Sequence, residues 1–200
     1  MATISIPGYQ QQQYLLVLRP HEELWNKISR VKEEFANAYQ APLSKTLRPH
    51  LALASFTAWA MNEEKIVWRL QQVAMGITPT KIELSDYGSY PSHTIFINVT
   101  SKLPVQHLVC QVKEVQRLMR TTPGHEPLFL TQPHIAIARK LKPWQYEKGW
   151  LEYSRKQFTG RFIADHMLLL KRAQGSSAYQ ILKRFEFQNL PIVTKQAVLF

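Results

Sequence analysis

The chain has 200 residues, 45% of them hydrophobic, enough to bury a sizeable core in one bilobal unit spanning 1–200. Lysine and arginine number 25 against 14 acids, a net charge of +11 that favours anionic partners such as nucleic acid, nucleotides or phosphorylated metabolites. A single cysteine excludes an internal disulfide, no apolar run approaches the ~20 residues of a membrane span, and residues 1–13 lack a basic segment followed by an apolar one. The expectation is a cytoplasmic protein with no membrane contact.

Residues 14–18 form a short apolar run that predicts a central strand, ended by Arg19-Pro20. Over 21–39, Leu24, Ile28, Val31, Phe35 and Ala38 recur at helical spacing, with Glu22 and Glu23 at the positive end of the helix dipole. A strand over 51–56 follows, then a helix over 61–76 with Ile66, Leu70 and Val73 on one face. Residues 81–84 and 94–99 read as strands joined by a loop at 87–91. Pro104 opens a helix over 107–119, whose Leu108-Val109-Cys110-Gln111-Val112 segment reads as a buried face with Cys110 in the core. Residues 128–130 and 135–138 give further strand, and Pro143 starts a helix through Trp150 and Tyr153. Residues 162–171 and 179–187 close the chain as strands. Each half runs strand, helix, strand, helix, strands. The fold class this implies is α+β, with two similar βα lobes and antiparallel-rich sheets flanking a central cleft.

The firmest feature is a repeated strand. Pro49-His50-Leu51-Ala52-Leu53-Ala54 recurs as Pro133-His134-Ile135-Ala136-Ile137-Ala138, with the histidines 84 residues apart. The motif strands span 49–56 and 133–139, one per lobe. Strand alternation puts His50 on one face with Ala52 and Ala54, and His134 with Ala136 and Ala138. The aliphatic residues between them face the core. A histidine flanked by small residues leaves room for a ligand. One strand histidine is more often structural than catalytic; two in matched context point to a shared cleft.

Two histidines can divide acid–base work. The neutral one takes a proton from a nucleophile and the protonated one gives a proton to a leaving oxygen. Phosphodiester chemistry also needs cations to hold the phosphoryl oxygens. Arg48, Arg139 and Lys140 flank the motifs, and Lys171 and Arg172 lie on a later strand, where alternation lets only one of the two face the cleft. Tyr90 lies in the 87–91 loop, where rings could stack on a base, and His93 follows it at the start of the next strand. No histidine, cysteine and carboxylate cluster has metal-ligand spacing, so neither metal nor other cofactor is expected.

On these two segments, His50-Leu51-Ala52-Leu53 and His134-Ile135-Ala136-Ile137, the chain resembles the 2H phosphoesterase superfamily. Within it, the chain looks like the bacterial 2′-5′ RNA ligase-like proteins and RNA 2′,3′-cyclic phosphodiesterases. The resemblance implies two lobes about a pseudo-twofold axis with both histidines facing one phosphate site. It also implies opening of a 2′,3′-cyclic phosphate, or related 2′-5′ chemistry, on RNA ends or a small nucleotide. In that family the residue two after each histidine is threonine or serine and donates to the phosphate. Here both positions, Ala52 and Ala136, are alanine. The candidate site is therefore His50 and His134 as the catalytic pair, with Arg48, Arg139, Lys140, Tyr90, His93, Lys171 and the positions of Ala52 and Ala136 around substrate. The alternative is a weak or inactive protein that binds RNA or nucleotides in the same basic cleft.

Overall fold

The structure, a computed structural model, describes residues 10–46, 48–120, 125–173, 176 and 178–190. Residues 1–9, on which the leaderless expectation partly rests, lie outside that set. The elements in chain order are β1 (Gln11–Leu18), α1 (Glu22–Ala38), the single turn α2 (Leu43–Thr46), β2 (Leu51–Trp59), α3 (Glu63–Gly76), β3 (Thr80–Tyr90) and β4 (Thr94–Val99). There follow α4 (Lys102–Val112), the single turn α5 (Gln116–Met119), β5 (Leu128–Phe129), β6 (His134–Ala138), α6 (Pro143–Tyr153), β7 (Thr159–Ala164), β8 (His166–Ala173) and β9 (Gln180–Glu186). Among the described residues no helix is long and apolar enough to cross a membrane.

The strands form two antiparallel sheets. One has five strands in the order β5-β2-β1-β8-β9, and the other has four in the order β6-β4-β3-β7. Each sheet thus holds one motif strand, β2 or β6, beside the first strand of its own half, β1 or β4. The repeat seen in the sequence is a repeat in the fold.

Both motif strands carry a bulge at the same place. β1 pairs Leu16 with Ala54 but Val17 with Ala52, so Leu53 is an extra residue. β4 pairs Ile95 with Ala138 but Phe96 with Ala136, so Ile137 is extra. A bulge shifts the phase of alternation beyond it. In β2 the buried residues are Leu51 and Leu53 before the bulge, then Ala54, Phe56 and Ala58 after it. The expectation that Ala54 and Ala138 share a face with the histidines is therefore corrected. Ala54 pairs with Leu16 and Ala138 with Ile95, both wholly buried, so the two alanines join the packed face. The histidine face continues instead through Ser55 in β2 and Arg139 after β6.

The packed faces are covered by helices. On α1, Leu24, Ile28, Lys32, Phe35 and Ala36 are buried. Phe35 lies against Gly149 of α6, and Leu24 against Gly160 of β7, so α1 and α6 cover the four-stranded sheet. A Cβ at Gly149 would stand 2.8 Å from the Phe35 ring, so the bare backbone is what lets α1 and α6 approach. On the five-stranded sheet, Tyr14 of β1 stacks on Phe56 and its hydroxyl donates to Glu63 of α3 at 2.7 Å.

Other boundaries differ from the sequence reading. The expected strand at 162–171 is two strands, β7 and β8, in different sheets, because the chain crosses between them at Asp165. The expected loop at 87–91 is mostly strand: β3 runs to Tyr90 past a bulge at Ser85 and Asp86, where Asp86 takes φ 55°. The helix expected over 107–119 begins at Lys102 and is broken at Lys113–Val115 by a 3-10 turn. It buries Val105, Leu108, Val109 and Val112 and leaves Cys110 exposed, not in the core.

Candidate active site

His50 and His134 enter the ends of β2 and β6 in the same way. Nδ1 of His50 lies 2.7 Å from the Arg48 carbonyl oxygen, and Nδ1 of His134 lies 2.8 Å from that of Gln132. A carbonyl only accepts, so each Nδ1 carries the proton and donates it. In the neutral ring Nε2 is then the basic nitrogen. Pro49 and Pro133, both buried, fix the backbone between each histidine and its carbonyl.

The rings are electrostatically joined. Withdrawal from water is the main cause that lowers His50 from 6.5 to about 4, and the charges of Arg139, Lys32 and His134 lower it further. The bond to Arg48 opposes the shift, because it favours the charged ring. His134 is also lowered, first by desolvation and then by Arg139, against its bond to Gln132. Arg139 thus acts on both rings across the cleft. The bulge at Ile137 explains how: without the extra residue, Arg139 would continue the buried phase of Ile135 and Ile137. The equivalent residue in the first lobe, 84 positions earlier, is Ser55.

The surroundings of His134 are aromatic. Phe96 lies 4.7 Å and Tyr90 5.3 Å from it, centroid to centroid, and the two contact each other at 4.8 Å. The Tyr90 hydroxyl donates to Gln132 Oε1 at 3.2 Å. Gly88 makes room for this stack, since a Cβ there would stand 2.5 Å from the Phe96 ring and 2.6 Å from Asn98 Oδ1. Ala52 and Ala136 lie on the histidine face, paired with Val17 and Phe96, and offer no side-chain donor.

Behind β6 lies a buried ammonium. Lys32 is 2% exposed, and its Nζ donates to the carbonyls of Ala136 at 3.0 Å and Ile137 at 3.2 Å. Burial, then the Arg139 charge, lower its pKa from 10.5 to about 7. In the first lobe the carbonyl of Leu53 instead accepts the backbone N–H of Leu130 at 2.9 Å, next to β5. Among the described residues β6 is an edge strand without such a neighbour, and the lysine takes that role.

The structure therefore gathers His50, His134, Arg139, Tyr90 and the two alanine positions. It adds Lys32 and Phe96, which the sequence reading did not select. It does not gather the rest. Arg48 is exposed and touches His50 through its carbonyl. Lys140 is exposed at φ 54°, just past the strand end. His93 is exposed at the β3–β4 hairpin, with Nδ1 2.9 Å from the Pro91 carbonyl oxygen. Lys171 pairs with Tyr14 in register, and its Nζ lies 2.6 Å from Glu63, on the α3 side of the sheet. Of the two neighbouring cations it is Arg172 that takes the histidine side, paired with Gln13. Lys32 had a signal: it stands four residues after Ile28 and three before Phe35, at core spacing.

The sequence profile of the 2′-5′ RNA ligase superfamily matches residues 20–176. No curated protein matches the chain by sequence. Among solved structures, Escherichia coli LigT complexed with 3′-AMP superposes with a TM-score of 0.60 at 16% identity, over 89% of this chain and 98% of that one. LigT complexed with NADP+ gives 0.58 at 17%, over 90% and 99%. TT0787 of Thermus thermophilus gives 0.60 at 16%, over 88% and 98%. At these identities the likeness is one of fold.

Proposed function

Because the chain belongs to the 2′-5′ RNA ligase superfamily, we propose that it is a phosphoesterase that opens a 2′,3′-cyclic phosphate, or cleaves the related 2′-5′ linkage, on RNA ends or nucleotides. The observation that carries this reading is the pair of imidazoles, one per lobe, each with Nδ1 tied to the carbonyl two residues earlier. That tie orients Nε2 for proton transfer. In the ring-opening step one neutral histidine takes a proton from water as it attacks phosphorus. The other, protonated, gives its proton to the departing ribose oxygen. Arg139 holds a phosphoryl oxygen. Burial and the Arg139 charge hold both histidines neutral near pH 7, so the acid must gain its proton alongside the bound phosphate, whose negative charge offsets that of Arg139. A nucleotide ligand accords with the 3′-AMP and NADP+ found with LigT.

The test is hydrolysis of a nucleoside 2′,3′-cyclic phosphate with chelator present. Turnover is expected, reduced about 10²–10⁴-fold in His50→Ala and in His134→Ala. Unchanged rates in either variant would overturn the assigned roles.

A second reading has its own support. Ala52 and Ala136 lack the donor hydroxyls, and the protein's own burial and charges hold His50 neutral down to about pH 4. The same cleft would then bind the RNA end without reacting. Salt-dependent binding with no product across cyclic and 2′-5′ substrates would establish it.

A further inference from the structure

The histidine face of the five-stranded sheet extends well past the histidines. Residues paired across strands share a face, so its rows can be read from the register. Next to His50 comes the row Ala52, Val17, Leu168. Beyond it lies Ser55, Leu15, Leu170, Ile181, across β2, β1, β8 and β9. Beyond that lie Gln13 and Arg172. Among the described residues no helix covers the second row: Ile181 is 54% exposed, and Leu15 and Leu170 are half-buried, whereas the opposite face is packed.

Arg172 closes this surface as a prepared anion site. Its Nε donates to Gln13 Oε1 at 3.0 Å, Nη2 donates to the same oxygen, and the guanidinium lies 4.6 Å from the centroid of the Tyr179 ring. A guanidinium has five N–H donors, so donors remain for a phosphate. The carboxylate on this face among the described strand residues, Glu186, is bound to Arg184 at 2.5 Å, at the sheet margin.

We propose that this face is a binding ledge for single-stranded RNA, running from the histidines to Arg172, so that the substrate is an oligoribonucleotide and not a free mononucleotide. The inference rests on the RNA-end reading above for what lies at the histidines. From His50 to Thr57 the strand spans about 20 Å, room for several nucleotides beyond the reacting phosphate. Bases settle on the apolar row, and Arg172 with Tyr179 takes a distal phosphate and base, the usual pairing of cation and stacking platform. The net charge of +11 favours this occupant over a peptide.

The experiment compares an oligoribonucleotide ending in a 2′,3′-cyclic phosphate with the corresponding mononucleoside 2′,3′-cyclic phosphate. The expected result is a higher kcat/KM for the oligonucleotide, with that selectivity falling about tenfold or more in Arg172→Gln. Fluorescence anisotropy with the same labelled oligonucleotide, on protein carrying His50→Ala and His134→Ala, reads the ledge without chemistry. Arg172→Gln and Ile181→Ser should each weaken that binding, and Arg172→Gln should flatten its salt dependence. If neither substrate turns over but the anisotropy effects hold, the phosphoesterase reading fails and the ledge stands. If oligonucleotide binding is the same with and without both substitutions, the ledge is overturned. Equal loss on both substrates overturns it too, since Arg172 would then act at the reacting end.

Discussion

Lys32 and Ile137 are joined by a bond that breaks the symmetry of the molecule: the Lys32 ammonium lies 3.2 Å from the Ile137 carbonyl oxygen, where the first lobe uses a backbone N–H. Removing the ammonium takes its hydrogen bonds away from two carbonyls of the bulge. Lys32→Met should cost roughly 1–3 kcal/mol in chemical denaturation. It should also loosen the bulge that aims Arg139. The pH dependence has a definite sign. The folded protein releases the Lys32 proton near pH 7 and the unfolded chain near 10.5, so between them the unfolded chain binds more protons. The advantage of the native protein over Lys32→Met should therefore grow as pH rises through that window. A constant difference between pH 7 and pH 10 would contradict this.

The histidines should titrate low in protein free of phosphate. By NMR, His50 should stay neutral until well below pH 6.5, with a midpoint near 4. Between those values the unfolded chain binds more protons, so this histidine's contribution to stability falls as pH falls through that window. Arg139→Gln removes a positive charge that acts on both rings, so both titrations should move up. Inorganic phosphate should move them the same way in the native protein.

Gly88→Ala tests the aromatic support of His134. The new methyl would stand 2.5 Å from the Phe96 ring, which already has Tyr90 and His134 against it. The ring must shift, at about 1–3 kcal/mol of stability. The chemical shifts of His134 should change while those of His50 change little.

Ala52→Thr and Ala136→Thr would place a hydroxyl on the histidine face of each lobe. A hydrogen bond to a charged group contributes about 1.5–3 kcal/mol. If made fully in the transition state, each hydroxyl should raise kcat/KM on a cyclic phosphate roughly ten- to hundredfold. Ala52 is the more open of the two positions and should respond first. No gain in either variant would mean that the lack of a hydroxyl at these positions is not what limits turnover.

The duplication, the element order and the histidine pair were legible because they rest on local pattern. Pro-His followed by alternating aliphatic and small residues fixes a strand and its first faces. What was not legible depends on register. An extra residue at Leu53 and at Ile137 leaves the strand pattern unbroken in sequence, yet it moves Ala54 and Ala138 to the packed face and brings Arg139 to the open one. The choice between Lys171 and Arg172 likewise needed the partner strand. Lys32 was obscured by its chemistry: its spacing was that of a core residue, but a lysine is read as exposed unless its partners are known.

Helix α1 also limits what the four-stranded sheet can join. Edge strands invite further strands, from the same protein or another, through their open backbone groups. On the β6 edge Lys32 occupies the carbonyls of Ala136 and Ile137, and on the β7 edge Lys27 of the same helix takes that of Thr159 at 2.6 Å. One helix thus guards both margins of the sheet. A variant lacking both lysines would be exposed to edge-to-edge aggregation even where its isolated fold survives.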